Sequence, residues 1–203
     1  MAQDFWDNRF SGPDYLFGTE PNAFLASQAF RLPAKGRALA VADGEGRNGV
    51  WLARQGLQVH AIDFSGVALE KARRLAASQG VALETEQADL SQWDWPEAVY
   101  DVVAAIFIQF ANPDLRARIF AGIHQALKPG GLLLLQGYRP EQLNYRTGGP
   151  SQVENLYTRD LLEQAFNDWE VLHLASHDSV IQEGRGHDGM SALIDLVARK
   201  PVR

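Results

Sequence analysis

The fold is decided by residues 37–65, RALAVADGEGRNGVWLARQGLQVHAIDFS. A short β-prone apolar run over 37–42 predicts a strand, and the following Asp43-Gly44-Glu45-Gly46 predicts a turn. Apolar residues at helical spacing predict a helix over 47–55, which Gly56 ends. Residues 58–63 predict a second strand. The whole stretch therefore predicts the order strand, turn, helix, strand.

The turn has the composition of a ligand-binding loop. Gly44, Gly46 and Gly49 spell G-x-G-x-x-G, and glycine permits both unusual dihedrals and a close approach of a ligand to the backbone. The helix that follows begins with free N–H groups and a partial positive charge. Asp63 lies about twenty residues further on, where an acid accepts hydrogen bonds from ribose hydroxyls. These features together predict a nucleoside cofactor.

Two classes of enzyme use this geometry. One binds a nicotinamide dinucleotide, and the other binds S-adenosylmethionine (SAM). The glycine motif alone gives the two equal weight, so the rest of the chain must decide between them.

Composition restricts the function further. The 203 residues fit one α/β domain, and the absence of cysteine excludes disulfides, thiol nucleophiles and thiolate metal sites. A net charge of −6 disfavours nucleic acid as a ligand. No apolar run reaches membrane-spanning length, and the mixed polar and aromatic start fits no signal peptide. We therefore expect a cytoplasmic protein that acts on a small molecule, without membrane or nucleic-acid partners. Its oligomeric state stays open.

Helices and strands alternate strictly through the middle of the chain, which predicts a doubly wound parallel sheet. Helices are expected to begin after Ser65, Asn112 and Thr158, whose side chains suit N-caps, and another after Thr19 over 22–30. Further strands are expected at 81–87, 100–107, 132–136, 169–176 and 191–199, with a turn at 128–131 and a glycine-rich connection before the last strand.

Two segments have no strong periodicity. Residues 1–30 are rich in aromatic and turn-forming residues, and either pack on the sheet with Trp6 and Phe17 in the core or cover the cofactor. Residues 138–157 follow the carboxyl end of a strand, where α/β sheets place their ligands. We assign 1–30 as a cofactor-covering segment and 138–157 as a lid loop.

Four segments carry a family resemblance. They are FGTEPNAFL (17–25), GEGRNGVWLARQG (44–56), VHAIDFS (59–65) and LKPGGLLLL (127–135), and residues 142–150 and 187–196 add to them. With these segments the chain resembles the class I SAM-dependent methyltransferases, in particular the small bacterial enzymes related to tellurite-resistance methyltransferases and, more distantly, the thiopurine methyltransferases. The resemblance implies a single domain over 1–203 with a Rossmann-like seven-stranded sheet, mostly parallel, whose last strand is antiparallel.

The resemblance also implies an activity and a cofactor site. A methyl group would pass from SAM to a small acceptor, such as a thiol or a chalcogen oxyanion, by in-line displacement. The residues implied for SAM are Phe17, Gly18, Ala42, Asp43, Gly44, Gly46, Asn48, Asp63, Phe64, Asp89, Leu90 and Ile106. The chain departs from the usual motif, in which an acid precedes the first glycine by two, because Ala40 and Ala42 stand there and Asp43 is the nearest acid.

Alternatives to this function stay open in the sequence. An NAD(P)-dependent oxidoreductase would use the same glycine turn, although no tyrosine has a lysine four residues on, as the proton-donor pair of short-chain dehydrogenases requires. A non-catalytic SAM-binding protein would explain the acid-free motif. We predict no metal site, since His173, His177 and His187 are more simply explained as scattered surface histidines than as metal ligands.

Few residues are candidates for acid–base or orienting roles. His187 is the best candidate for a general base, with a solvated loop histidine as an equally weighted alternative. Gln109, Tyr138 and Tyr145 are expected near the mouth of the pocket, where each either orients the acceptor or packs the lid. Arg47 is expected at the surface or clamping the lid.

Overall fold

A seven-stranded sheet organises the computed structural model, which describes residues 3–202. Its strands are β1 (Arg37–Val41), β2 (Gln58–Asp63), β3 (Glu84–Gln87), β4 (Tyr100–Ile106), β5 (Leu127–Tyr138), β6 (Glu170–Gln182) and β7 (Asp188–Arg199). The helices are α1 (Gln3–Phe10), α2 (Ala23–Ser27), α3 (Arg47–Arg54), α4 (Gly66–Ser78), α5 (Pro113–Ala126), α6 (Gln142–Tyr145) and α7 (Arg159–Ala165). Short 3-10 turns lie at Ala29–Arg31 and Val153–Asn155.

The strand order is β3-β2-β1-β4-β5-β7-β6. The first five strands pair in parallel, and β7 pairs antiparallel with both β5 and β6. The predicted doubly wound, mostly parallel sheet with an antiparallel last strand is therefore confirmed. Because the order reverses between β1 and β4, the carboxyl ends of these two strands form the crevice where open α/β sheets bind ligands. Among residues 3–202, no helix has the length and apolar character needed to cross a bilayer.

The central strands are buried on both faces, as their apolar sequences predict. Along β4, Val103 and Ala105 join one apolar cluster, whereas Val102 and Ala104 join the other. The first cluster also takes buried residues from α5 and α7, and the second takes them from α2 and α3. The sheet is thus covered on both sides, and its carboxyl edge is left to form a site.

Side-chain caps set the starts of several helices. The predicted caps Ser65, Asn112 and Thr158 are confirmed, since each accepts a hydrogen bond from the backbone N–H three residues on, at 3.1, 3.0 and 3.2 Å. The predicted start after Thr19 is wrong. Asn22 caps α2 instead, by accepting from the N–H of Leu25 at 2.9 Å, because its side chain reaches the third helical residue.

Two connections also differ from their predictions. The turn expected at 128–131 belongs to β5, whose pairing with β4 shifts register there. The final two strands are longer than expected and form a hairpin, so the glycine-rich connection shrinks to residues 183–187. Both errors have one cause: glycine and proline weaken strand propensity locally, whereas pairing with a long neighbouring strand holds the backbone extended.

Candidate cofactor and acceptor site

A cavity of about 860 Å³ lies at the carboxyl edge of the sheet. Its walls come from the residues that end or follow β1 to β5, from the N-terminal segment and from parts of 148–152 and 186–187. All the predicted cofactor residues line this cavity except Gly18 and Gly46. Of the residues predicted to act on the acceptor, His187, Tyr138 and Gln109 line it and Tyr145 does not. The structure thus brings most of both predicted sets into one space.

Gly46 serves packing rather than ligand contact. Its φ is +89°, and a Cβ there would lie 2.6 Å from the Cβ of Ala72 in α4. Only glycine permits both the left-handed backbone and this close approach of the turn to the helix. The second glycine of the motif therefore allows the turn before α3 to pack closely against α4. The first glycine, Gly44, lines the cavity.

Asp43 occupies the position nearest to the missing acid. Its carboxylate accepts hydrogen bonds from the N–H of Gly49, at 3.2 Å through Oδ1 and 3.1 Å through Oδ2. A Cβ at Gly49 would lie 2.4 Å from Oδ2, so the third glycine of the motif makes room for this carboxylate. Burial, with a smaller contribution from the charge of Asp63, raises the pKa of Asp43 to about 7, although the hydrogen bond from Gly49 opposes the shift. An acid thus lines the cavity in the turn between β1 and α3, one position later than in the usual motif.

Asp63 is held by two backbone donors at the end of β2. Its Oδ2 accepts from the N–H of Gly44 at 2.8 Å, and its Oδ1 accepts from the N–H of Ser65 at 2.8 Å. Burial raises its pKa to about 6, although these hydrogen bonds oppose the shift. Each oxygen keeps a free lone pair, so the oriented carboxylate can accept two further hydrogen bonds from vicinal hydroxyls.

His187 lies in an aromatic part of the cavity wall, the aromatic chamber. Its ring stacks between Phe17 and Phe107, with ring centroids 4.6 and 4.4 Å away. Its Nδ1 shares a hydrogen bond of 2.5 Å with the hydroxyl of Tyr138. Burial, together with the smaller effect of the positive charges of Arg47 and Arg9, lowers the pKa of His187 to about 3. The imidazole is therefore buried and neutral near pH 7, rather than solvated.

Two other candidates are already engaged by the protein. The amide of Gln109 donates to the carbonyls of Tyr138 (2.8 Å) and Asn155 (3.2 Å) and accepts from the N–H of Tyr138 (2.5 Å). The amide thus holds the end of β5 against the 3-10 turn at Val153–Asn155. Tyr145 is partly exposed outside the cavity, where its hydroxyl donates to Asp178 at 2.7 Å.

Arg47 is buried rather than at the surface, with only 6% of its area exposed. It lines the cavity, and its Nη2 donates to Oε2 of Glu183 at 2.6 Å. Glu183 lies in the connection between β6 and β7, so Arg47 clamps a segment that lies far along the chain.

The N-terminal segment is anchored beside the glycine turn. Phe5, Trp6, Arg9, Phe10 and Phe17 line the cavity. The carboxylate of Glu45 accepts from the N–H of Leu16 at 2.6 Å and from Lys71 at 2.7 Å, and Lys71 also donates to the carbonyl of Asp14 at 2.7 Å. This buried ion pair ties residues 14–16 to the motif.

Sequence reasoning missed several wall residues. Phe107, Phe110 and Gly186 line the cavity, and Glu183 supports it. Phe107 could have been found, because it follows directly on a buried parallel strand. Glu183 carries no such signal, because its role depends on the hairpin that brings it to Arg47. Within residues 3–202, no group of three or more His, Asp or Glu side chains is placed to hold a metal ion.

Comparison with known proteins finds a family match over part of the chain. Residues 38–131 match the methyltransferase domain family. A curated relative, the tRNA N(3)-cytidine methyltransferase METTL2 of Xenopus tropicalis, is 34% identical over 112 residues, which are 51% of this chain and 33% of the relative. The chain spans 58% and 33% of the lengths of the two curated relatives that it matches.

Solved structures share the fold at low sequence identity. One, from work on the conversion of a disulfide bond into a thioacetal group during echinomycin biosynthesis, has a TM-score of 0.79 and 17% identity, covering 99% of this chain and 92% of that one. A SAM-dependent methyltransferase from Methanosarcina mazei has a TM-score of 0.72 and 17% identity, covering 91% and 100%. TehB from Haemophilus influenzae has a TM-score of 0.71 and 14% identity, covering 98% and 66%.

The residues of the cavity fit the cofactor that this fold implies. The carboxylate of Asp63 is oriented for a pair of hydroxyls, Phe64 and Leu90 offer apolar walls beside it, and Gly44 exposes backbone to the cavity. The nicotinamide alternative has no comparable support from the matched family. Residues 38–131 thus match a methyltransferase domain, the chain has the fold of the solved SAM-dependent methyltransferase, and S-adenosylmethionine is the cofactor that the match and the fold imply.

Proposed function

We propose that the protein is a SAM-dependent methyltransferase that methylates a small-molecule acceptor, with a thiol or a chalcogen oxyanion as the favoured acceptor class. The observation that carries the proposal is the continuity of the cavity. One space joins the oriented carboxylate of Asp63 to the aromatic chamber around His187. Its volume lies in the range of about 300–1,000 Å³ that is usual for ligand sites. A cofactor and a small acceptor can therefore share it.

Bound SAM supplies an electrophilic methyl group on a sulfonium, which an acceptor nucleophile takes by in-line displacement while the C–S electron pair stays on sulfur. The protein's own contribution is position and exclusion of water. Asp63 offers an oriented carboxylate to the cavity, and the rings of Phe17, Phe107 and Tyr138 form an apolar part of its wall. A dry, fixed geometry favours a reaction in which charge is lost.

His187 is proposed to orient the acceptor rather than to remove a full proton. A pKa of about 3 makes the buried imidazole a weak base near pH 7. The hydroxyl of Tyr138 fixes the ring through Nδ1, so Nε2 is the ring nitrogen available to a ligand. This arrangement suits a nucleophile that is already ionised, such as a thiolate or an oxyanion, which needs no general base.

Two relatives in fold support this acceptor class. One comes from the conversion of a disulfide into a thioacetal, which is sulfur chemistry, and another is TehB. The sequence resemblance to tellurite-resistance methyltransferases points in the same direction. The curated tRNA methyltransferase relative favours nucleic acid instead, and the net charge of −6 argues against that acceptor.

The test is a transfer assay with methyl-labelled SAM. The acceptors are a thiol, selenite, a phenol and unmodified tRNA, each compared with a reaction that lacks an acceptor. We expect label in the product of the thiol or of selenite, at a rate that follows the ionised fraction of the acceptor. Transfer to tRNA alone would contradict the small-molecule proposal. No transfer to any of them, with cofactor binding intact, would favour a non-catalytic SAM-binding protein.

A further inference from the structure

The guanidinium of Arg47 is buried and only partly satisfied. Its Nη2 donates to Glu183 at 2.6 Å, but its Nη1 is buried and has no hydrogen-bond partner among residues 3–202. Buried polar groups in proteins are nearly always paired, and an unpaired charged donor is costly. Since Arg47 also lines the cavity, a ligand is the natural source of the missing acceptor.

Glu183 cannot supply that acceptor itself, because its carboxylate is used elsewhere. Its Oε1 accepts from the N–H of Ala23 at 3.1 Å and from the amide of Asn22 at 3.1 Å, and its Oε2 lies 3.3 Å from the same amide. The Asn22 amide is held in turn by Gln136 at 2.7 Å. Glu183 is thereby fixed beside Nη2 of Arg47, and Nη1 of the same guanidinium is left to donate to a ligand.

The surroundings favour a negatively charged partner. Arg9 lines the same cavity, and the charges of both arginines act on His187. The planar fork of arginine matches the two oxygens of a carboxylate or a related oxyanion better than it matches a neutral carbonyl.

We propose that Arg47, held by Glu183, is the receptor for an anionic oxygen group of a ligand in this cavity, either a carboxylate or an oxyanion. This inference rests on the proposed function, which places two ligands in the cavity. The anion then has two possible sources: the amino-acid carboxylate of SAM and the acceptor itself.

The experiment uses the full chain and calorimetric titration. S-adenosylhomocysteine (SAH) is compared with 5′-methylthioadenosine, which keeps the nucleoside and sulfur but lacks the amino-acid carboxylate. Benzoate and selenite are then titrated into SAH-saturated protein. The test variant combines Arg47→Met with Glu183→Gln, so that no buried charge is left unpaired. Arg54→Met, on the exposed end of the same helix, is the matched control.

Either of two results supports the proposal. If the double variant loses about 10- to 100-fold in SAH affinity while 5′-methylthioadenosine binds as before, the cofactor carboxylate is the anion. If both nucleosides bind as before but the binding of benzoate or selenite is lost, the anion belongs to the acceptor. If neither nucleoside nor anion binding differs from that of Arg54→Met, the receptor role is wrong.

A second variant covers a failure of the double variant to fold. Arg47→Lys keeps the pairing charge but lacks the second arm of the fork, and it should show the same selective loss to a smaller degree. An equal loss for SAH and 5′-methylthioadenosine would overturn the proposal. If the wild-type protein binds neither SAH nor 5′-methylthioadenosine, that result contradicts the proposed function instead. Titration of the anions into the free wild-type and variant proteins would then decide the role of Arg47.

Discussion

Asp63 is the residue on which we expect cofactor binding to depend most. Its carboxylate receives the N–H groups of Gly44 and Ser65, so the glycine turn and the start of the next helix are both oriented by one side chain. Burial favours its neutral form and raises its pKa to about 6. The ionised form is the better acceptor for ribose hydroxyls, so proton uptake and cofactor binding should compete there.

The first prediction concerns this competition. Asp63→Asn should weaken SAH binding by about 10- to 100-fold, since a charged acceptor is replaced by an amide. In the wild-type protein the carboxyl is protonated below its pKa, so SAH affinity should fall as the pH is lowered through about 6 and level off above it. Calorimetric titration between pH 5 and pH 8 measures both effects.

Asp160→Asn, on an exposed part of α7, controls for the loss of one negative charge. Its SAH affinity should match that of the wild-type protein at every pH. An Asp63→Asn variant that binds SAH as tightly as the wild type, or that keeps the same pH dependence, would refute the ribose contact.

The second prediction separates orientation from proton removal. His187→Asn should lower turnover by up to about 100-fold, because the acceptor loses an orienting group, while SAH affinity stays unchanged. Because the pKa of His187 is about 3, the pH profile of the wild-type enzyme should show no step near pH 6.5 that the variant lacks.

Tyr138→Phe is the companion variant, since it removes the 2.5 Å hydrogen bond to Nδ1 and keeps the aromatic ring. It should lower turnover to a smaller degree than His187→Asn. If His187→Asn turns over like the wild type on the true acceptor, His187 only packs the chamber.

At the scale of elements, the two ends of the chain meet over the cavity. The N–H of Gly186 donates to the carbonyl of Leu16 at 3.2 Å, and a Cβ at Gly184 would lie 2.4 Å from that same carbonyl oxygen. The hairpin connection between β6 and β7 therefore packs directly on the N-terminal segment. Below them, residues 148–152 add a third part of the wall.

The third prediction follows from this convergence. If 3–18 and 148–156 cover a bound cofactor, SAH should slow amide hydrogen exchange in both segments, because opening them would also expose the ligand. Exchange in α4 (Gly66–Ser78), which does not line the cavity, is the internal control. Equal protection of all three segments would indicate general stabilisation, and protection of α4 alone would contradict a covering role.

At the scale of the whole molecule, the sequence predicts the sheet better than it predicts the site. Local patterns suffice for the buried strands and for the caps at Ser65, Asn112 and Thr158, because apolar spacing and N-cap chemistry act over a few residues. The same patterns place Asp63 at the end of β2, where its side chain lines the cavity. The pairing of Arg47 with Glu183 could not be predicted in this way, since 136 residues separate the two and only the hairpin brings them together.

The whole fold also explains why one cavity can serve two ligands. The strand order reverses between β1 and β4, which opens a crevice, and segments from both ends of the chain close over it. The end that we propose for the nucleoside is built from the parallel strands, which the sequence predicts well. The end that we propose for the acceptor is built from loops and the hairpin connection, and loops are where proteins of one fold carry different functions.

The most direct test of the account is calorimetric titration of the wild-type protein with SAH and, in parallel, with NADH. We predict saturable binding of SAH at one site per chain and no binding of NADH, because we propose that Asp63, the glycine turn and the aromatic chamber bind SAM. Binding of NADH without binding of SAH, or binding of neither, would contradict that claim.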